Sequence, residues 1–152
     1  MIIRRYEESD CKEIIELFNN TVHIVNAKDY TKKQLDVWTC NANIGEWNKS
    51  FMNNYTLVAL YDSKIVGFGD ITETGYLDRL YVHKNYQGKG IATALCDELE
   101  KFVEYKSIKT HASITAKKFF IKKGYKIIKE QEVQRNSVFL KNYIMEKDIK
   151  ID

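Results

Sequence analysis

Apolar residues recur along this chain with two alternating periods, and the changes of period mark out its elements. The opening "MIIRRY" reads as a short strand. Asp10 and Glu13 resemble a capping-box start to a helix that carries Cys11, Ile14, Ile15 and Phe18 on one face. "TKKQ", from Thr31, is a capping box proper and predicts a second helix. Between them "TVHIVNAKDY", Thr21 to Tyr30, reads as a long connection, a place for ligand contact. The stretch holding Trp38 and Trp47 shows no clear period. Three strand-like runs follow, "YTLVALY", "KIVGFGDI" and "GYLDRLYV", the first two joined by a hairpin turn at Asp62 and Ser63. "GIATALCDELEKFVEYK" predicts the clearest helix, with Ile91, Leu95, Leu99, Phe102 and Val103 on its buried face. A short strand "IKTHA", a helix "TAKKFFIKK" ended by Gly124, and strands near "YKIIKE" and "SVFLKNYIMEK" complete the order.

Composition narrows the class without naming a task. At 152 residues, 44% of them apolar, residues 1–152 are expected to form one globular domain that needs no disulfide or metal to build its core. The net charge of +3 suits an anionic small ligand, but it is too dispersed to point to nucleic acid or an anionic membrane. Cys11, Cys40 and Cys96 form no CxxC pair and have no histidine at ligand spacing, so no metal site is expected. No run approaches the roughly 18 apolar residues of a membrane span, and the N-terminus lacks a signal-peptide core. A reduced, cytoplasmic protein is the expectation.

The chemistry concentrates in "LYVHKNYQGKGIATAL". A strand, a turn and a helix start expose backbone N–H groups that have no partner within the helix, and the helix dipole adds partial positive charge there. Gly88 and Gly90 let the backbone approach a ligand, and Lys89 adds a cation. The local reading is a phosphate cradle, although two glycines also suit a plain tight turn. A P-loop would need glycine where His83 stands and Ser or Thr where Gly90 stands. A dinucleotide fingerprint would need Gly or Ala at Thr93.

The remaining design resembles the GNAT family of acyl-CoA-dependent N-acyltransferases. That family's signature is Gln or Arg, two residues, Gly, one residue, then Gly or Ala, and Gln87, Gly90 and Ala92 fit it. The preceding "LDRLYVHKNY" looks like the family's fourth strand and turn, and "SITAKKFFIKKGY" like its late helix. The resemblance implies a mixed α/β fold: a twisted, mostly antiparallel sheet of about six to seven strands whose fourth and fifth strands splay apart, flanked by about four helices. It implies acetyl-CoA as acyl donor, its pyrophosphate on Gln87, Gly88, Lys89, Gly90, Ile91, Ala92 and Thr93. Backbone of Leu80, Tyr81 and Val82 would pair with the pantetheine amides, and Ser113 stands where many members carry a cofactor-contacting Asn.

The acceptor implied is an amine, on a small molecule or a protein. Alternation along the strand puts Tyr76, Asp78, Leu80 and Val82 on one face. Members often carry an acidic residue at one of the first two positions, which makes Asp78 the candidate base and Tyr76 its neighbour. The family's usual general acid, a Tyr in the late helix, is replaced by Phe120, with Tyr125 and Tyr143 as speculative stand-ins. His23, Asp29 and Tyr30, in the early connection, are the candidate acceptor contacts. Two readings stand: an N-acetyltransferase, or a catalytically silent acyl-CoA-binding or sensing module, kept open by Phe120. Family members often dimerise, which leaves a homodimer open.

Overall fold

The computed structural model describes residues 1–104 and 107–149. Seven strands form one sheet: Ile2–Arg5 (β1), Tyr55–Tyr61 (β2), Lys64–Ile71 (β3), Tyr76–Val82 (β4), Ser107–Ser113 (β5), Lys126–Arg135 (β6) and Val138–Asp148 (β7). Their order is β1-β2-β3-β4-β5-β7-β6. Every neighbouring pair is antiparallel except β4 and β5, which run parallel. Five α-helices accompany the sheet: Cys11–Val25 (α1), Lys32–Thr39 (α2), Ile44–Asn53 (α3), Ile91–Phe102 (α4) and Lys117–Lys122 (α5). This is the mixed α/β architecture expected from the sequence.

Strand alternation divides the core between the two faces of the sheet. Leu57, Ala59, Val66, Leu77 and Val82 pack under Ile91, Leu95 and Leu99 of α4. Val58, Ile65 and Phe68 pack under Ile14, Leu17 and Phe18 of α1 and Phe51 of α3. Helix α4 sits close on the sheet because β3 carries glycine beneath it. A Cβ at Gly69 would lie 2.9 Å from Leu99 Cδ1 and 3.0 Å from the Arg79 carbonyl oxygen, and one at Gly67 would lie 3.0 Å from Ile91 Cγ2.

Local signals explain most boundaries. The Thr31 box forms as read: its Oγ1 accepts from Gln34 N at 3.2 Å while Gln34 Oε1 accepts from Thr31 N at 2.8 Å. Asp62 and Ser63 take φ of +48° and +65°, the left-handed pair of a type I′ hairpin, and Asn136 and Ser137 repeat it between β6 and β7. Gly124, at φ +94°, follows α5.

Four expectations change. The first box is shifted: Asp10 Oδ2 accepts from Glu7 N at 2.8 Å, and Glu13 instead accepts from Ile65 N at 2.7 Å. Helix α1 continues through Thr21–Val25, because Thr21 and Val22 extend its buried face, so the early connection is much shorter than expected. The undefined stretch around Trp47 is a helix, α3, capped by Asn43, whose side chain accepts from Glu46 N at 2.9 Å. Helix α4 stops at Phe102, which is exposed and stacks on Tyr55 at 4.2 Å rather than joining the buried face; Tyr105 and Lys106, expected to continue the helix, lie outside the described residues. Among the described residues no helix is long and apolar enough to cross a membrane.

The close seat of α4 yields a direct test. Replacing Gly69 with Val should lower stability by about 1–3 kcal/mol, the usual cost of overpacking, and urea denaturation should show a lower midpoint with unchanged slope. An unshifted midpoint would mean that β3 and α4 do not approach as described.

Candidate active site

Backbone pairing between β4 and β5 covers two positions only, Tyr76 with Lys109 and Leu77 with Thr110. Thr110 Oγ1 donates to the Leu77 carbonyl at 2.8 Å and ends that contact. Beyond it the strands part, as expected from the sequence, and backbone groups along the gap need other partners. The Val82 carbonyl accepts from Thr21 Oγ1 at 3.1 Å and from Gln87 Nε2 at 2.7 Å. Across the gap the Tyr30 hydroxyl donates to the Lys141 carbonyl at 2.6 Å and accepts from Ile114 N at 2.9 Å.

Two clefts open on this gap. One, of about 170 Å³, is lined by Thr21, Leu80, Val82, Gln87, Ala92 and Phe120 among others. The second, of about 270 Å³, is lined by Phe18, Trp38, Trp47, Tyr76, Asp78 and Asn142 among others. Tyr81 and Ser113 border both, so the clefts meet at the gap.

At the mouth of the first cleft, Gly88 and Gly90 take φ of +72° and +79°, a conformation that strains any residue with a Cβ. No protein atom lies within 4 Å of where a Cβ would stand on either, so the space over the turn is open. The first α4 backbone bond runs from Ala94 N to Gly90 O at 3.0 Å, which leaves the N–H groups of Ile91, Ala92 and Thr93 without helical partners. Lys89 lies beside this turn, its Nζ 6.0 Å from the Tyr86 ring. A helix N-terminus of this kind, with a lysine alongside, is a seat for an anion. The Gln87 side chain closes the turn onto Val82, its Nε2 donating to the Val82 carbonyl.

Strand β4 carries a bulge. Arg79 pairs with Asp70 and Leu77 with Ile71, so Asp78 is an extra residue. The bulge breaks the expected alternation: Tyr76 and Asp78 line the second cleft, whereas Leu80 and Val82 line the first. The backbone of Tyr81 is also reassigned. His83 N donates to Val66 O at 2.8 Å, and alternation along an antiparallel pair then turns Tyr81 toward β3 and Leu80 and Val82 toward the gap. Tyr81 reaches the site through its side chain.

Beside Asp78 lies an ion pair that the sequence reading passed over. Asp70, fully buried, accepts from Arg79 Nη1 at 2.6 Å and from Asn54 Nδ2 at 2.9 Å. The Arg79 guanidinium lies over the adjoining Trp47 and Phe51 rings at 4.8 and 4.9 Å, and its Nη1 stands 3.4 Å from Asp78 Oδ2. Burial pushes the Asp70 carboxyl up to about 6 against the pull of Arg79, and Asp78 adds to the rise. The Tyr76 hydroxyl is pushed up to about 12, by burial and then by Asp78, so it stays protonated near neutrality. A charged residue inside the apolar run "KIVGFGDI" was the available signal for Asp70, since a buried carboxylate demands a cation.

The other expected residues divide. Tyr30 lines the second cleft and Ser113 both. Asp29 lines neither cleft; it accepts from Thr115 Oγ1 at 2.7 Å and ties the early loop to the end of β5. His23 bonds Asn19 O and Asp36 on the helical surface, because the segment expected to be loop is helix. Tyr125 is buried against α4, its hydroxyl donating to Glu100 Oε2 at 2.8 Å, and burial raises its pKa further; it lines neither cleft. Tyr143 is also buried and lines neither, with Lys117 Nζ 4.6 Å from its ring centroid. No group of three or more metal-ligating side chains occurs among the described residues.

Residues 26–147 match the model of the acetyltransferase (GNAT) domain family. The chain is 30% identical over 145 residues to the uncharacterized N-acetyltransferase YafP of Escherichia coli K12, covering 94% of this chain and 93% of that protein. It superposes with a TM-score of 0.94 on a GCN5-related N-acetyltransferase of Rhodopseudomonas palustris, at 28% identity and covering 97% and 95% of the two chains. With the PaiA N-acetyltransferase of Thermoplasma acidophilum, solved in complex with coenzyme A, the TM-score is 0.79 at 21% identity, covering 97% and 98%.

The buried carboxylate gives a pH signature. The Asp70 side-chain carbon should titrate by NMR with a midpoint near 6, well above the usual 3.8. Its raised pKa means that the folded state binds the proton more tightly than the unfolded chain. Stability of the parent relative to Asp70→Asn should therefore fall as pH rises from about 4 to 6 and level off above. A difference that stays constant across that window would mean that the Asp70 pKa is not raised on folding.

Proposed function

The chain belongs to the GNAT family of acetyltransferases, and from that premise we propose that it transfers an acetyl group from acetyl-CoA to a primary amine by direct attack in a ternary complex. The observation that carries this reading is the meeting of two clefts at Tyr81 and Ser113, where β4 and β5 part. One cleft begins at an anion seat and suits a donor bearing a pyrophosphate. The other, with a carboxylate in its wall, suits an amine.

In this reading the N–H groups of residues 88–93, with Lys89, take the pyrophosphate. The gap-facing backbone of Leu80 and Val82 takes the pantetheine amides in the manner of an added strand. The Val82 carbonyl is already bonded to Thr21 and Gln87, so its N–H is the more available group. Phe120 and Phe119 provide apolar walls to the same cleft.

An amine of ordinary pKa, about 10.4, is mostly protonated at neutral pH and must lose a proton before attack. Asp78, in the wall of the second cleft, is the assigned base, directly or through one water. The departing thiolate is a tolerable leaving group near neutrality. Phe120 has no proton to give it; the residues at the junction of the two clefts that carry hydroxyls are Tyr81 and Ser113, and the Ser113 Oγ also accepts from Ala116 N at 3.0 Å. A silent acyl-CoA-binding module is the second reading, and it draws on the same absence of a hydroxyl at Phe120.

Two substitutions separate the halves of the reaction. Gly90→Val places a side chain at φ +79° over the anion seat, and calorimetry should show coenzyme A affinity weakened by roughly a hundredfold or more. Asp78→Ala should keep that affinity while thiol release with the best amine falls by roughly 10²–10⁴-fold. Tight coenzyme A binding by the parent with no thiol released by any amine would favour the silent module.

A further inference from the structure

Resting on the transfer reading above, we propose that the acceptor is a small primary amine with a flat aromatic body, bound initially as its ammonium. Charge is the first argument. Two carboxylates, Asp70 and Asp78, face one guanidinium, that of Arg79. The guanidinium is held to Asp70 at 2.6 Å and lies against two adjoining rings, while Asp78 stands off at 3.4 Å. Asp78, the one carboxylate in the cleft lining, is therefore held only loosely by Arg79 and is left to meet a ligand cation.

Lys141, Arg135 and His111 line the cleft as well, and among the described residues none of them pairs with Asp78. Lys141 points its Nζ toward Glu130, 3.7 Å away, and sits at an alternate position to Leu140 and Asn142 along β7. Arg135 stands exposed where β6 ends, in water that screens it. His111 meets Tyr76 edge-on at 5.3 Å.

An unused acceptor atom is the second argument. Asn142 lines this cleft, and its Oδ1 is buried without a hydrogen-bond partner. A buried acceptor left unpaired is costly, so it suits a ligand N–H. An ammonium offers three such donors, enough for Asp78, Asn142 and one water.

The third argument is the wall. Tyr30 meets Trp38 edge-on at 5.1 Å and Phe18 lies 4.7 Å from Trp47, so the rings hold one another in place before a ligand arrives. Rings so fixed favour a flat apolar body and a cation near their faces. A volume of about 270 Å³ accommodates one ring on a short chain. A polyamine would need several carboxylates, and a peptide terminus would need free backbone partners; the cleft lining supplies one carboxylate, Asp78, beside Arg79, Arg135 and Lys141, and aromatic rings.

The step balances. The ammonium loses one proton to Asp78 or its water; the free amine nitrogen bonds the acetyl carbon as the C–S bond breaks. The remaining excess proton on nitrogen leaves to solvent or to the sulfur. The amide product is neutral, so Asp78 no longer holds it and it can depart.

The test uses 2-phenylethylamine, n-hexylamine, spermidine and an alanine tripeptide as probes with acetyl-CoA. Thiol release should show kcat/KM for 2-phenylethylamine roughly tenfold or more above the other three, with the gain in KM. Trp38→Leu should bring 2-phenylethylamine down to the level of n-hexylamine, with coenzyme A affinity by calorimetry serving as the check of folding. Asn142→Leu, a second variant, should raise KM for both monoamines. Tryptophan fluorescence of the coenzyme A-saturated protein should be perturbed by 2-phenylethylamine at concentrations where spermidine has no effect. Faster turnover of spermidine or tripeptide would overturn the acceptor class and leave the transfer reading standing. Fluorescence binding of 2-phenylethylamine without thiol release from any amine would overturn the transfer reading and support the cleft assignment.

Discussion

The parting of β4 and β5 after two paired residues is the constraint on which the site depends. A parallel pair that continued would bury its backbone groups in a ladder and close the sheet. Here those groups are satisfied from outside the ladder, at Val82 by Thr21 and Gln87, and across the gap by the Tyr30 hydroxyl. The strands can stay apart because few polar groups are left wanting. The same parting brings a backbone-built anion seat and a side-chain-built aromatic cleft to one place.

Electrostatics then differ on the two sides. On the turn side, positive potential comes from peptide N–H groups and the helix end, with Lys89 assisting. On the aromatic side, Arg79 is bound to Asp70 by close contact and lies against the Trp47 and Phe51 rings, and the Asp78 carboxylate stands in the cleft wall. The bulge at Asp78 makes this possible, because it turns Tyr76, Asp78 and Arg79 toward the second cleft while leaving Leu80 and Val82 to the first. One extra residue in one strand sorts the side chains of β4 between the two clefts.

Much of this was legible in the sequence because it is periodic or local. Alternation located β2, β3 and β4, helical spacing located α4, and Thr31 and Gln34 located the start of α2. The turn glycines pointed to the anion seat because their φ values are a local matter. What escaped reading was set by tertiary context. Thr21 and Val22 are β-branched and looked like loop or strand, yet burial against the sheet keeps them in α1. Trp47 and Phe51 lie one helical turn apart, too sparse a pattern to declare α3. A bulge leaves no mark in the sequence of its own strand, so Leu80 and Val82 were placed on the face of Asp78. Tyr125 was considered for its hydroxyl, and only the fold shows that hydroxyl engaged with Glu100.

The seat at residues 88–93 is made of peptide groups, which every amino acid supplies. Outside the two glycines and Lys89, substitutions there change little of what an anion would meet. The opposite cleft is made of side chains, and each replacement at Phe18, Trp38, Tyr76 or Asn142 changes its shape or polarity. Mutational drift therefore acts unequally on the two halves: the backbone-built half persists through divergence, and the aromatic half is where descendants of this chain would change what the cleft admits.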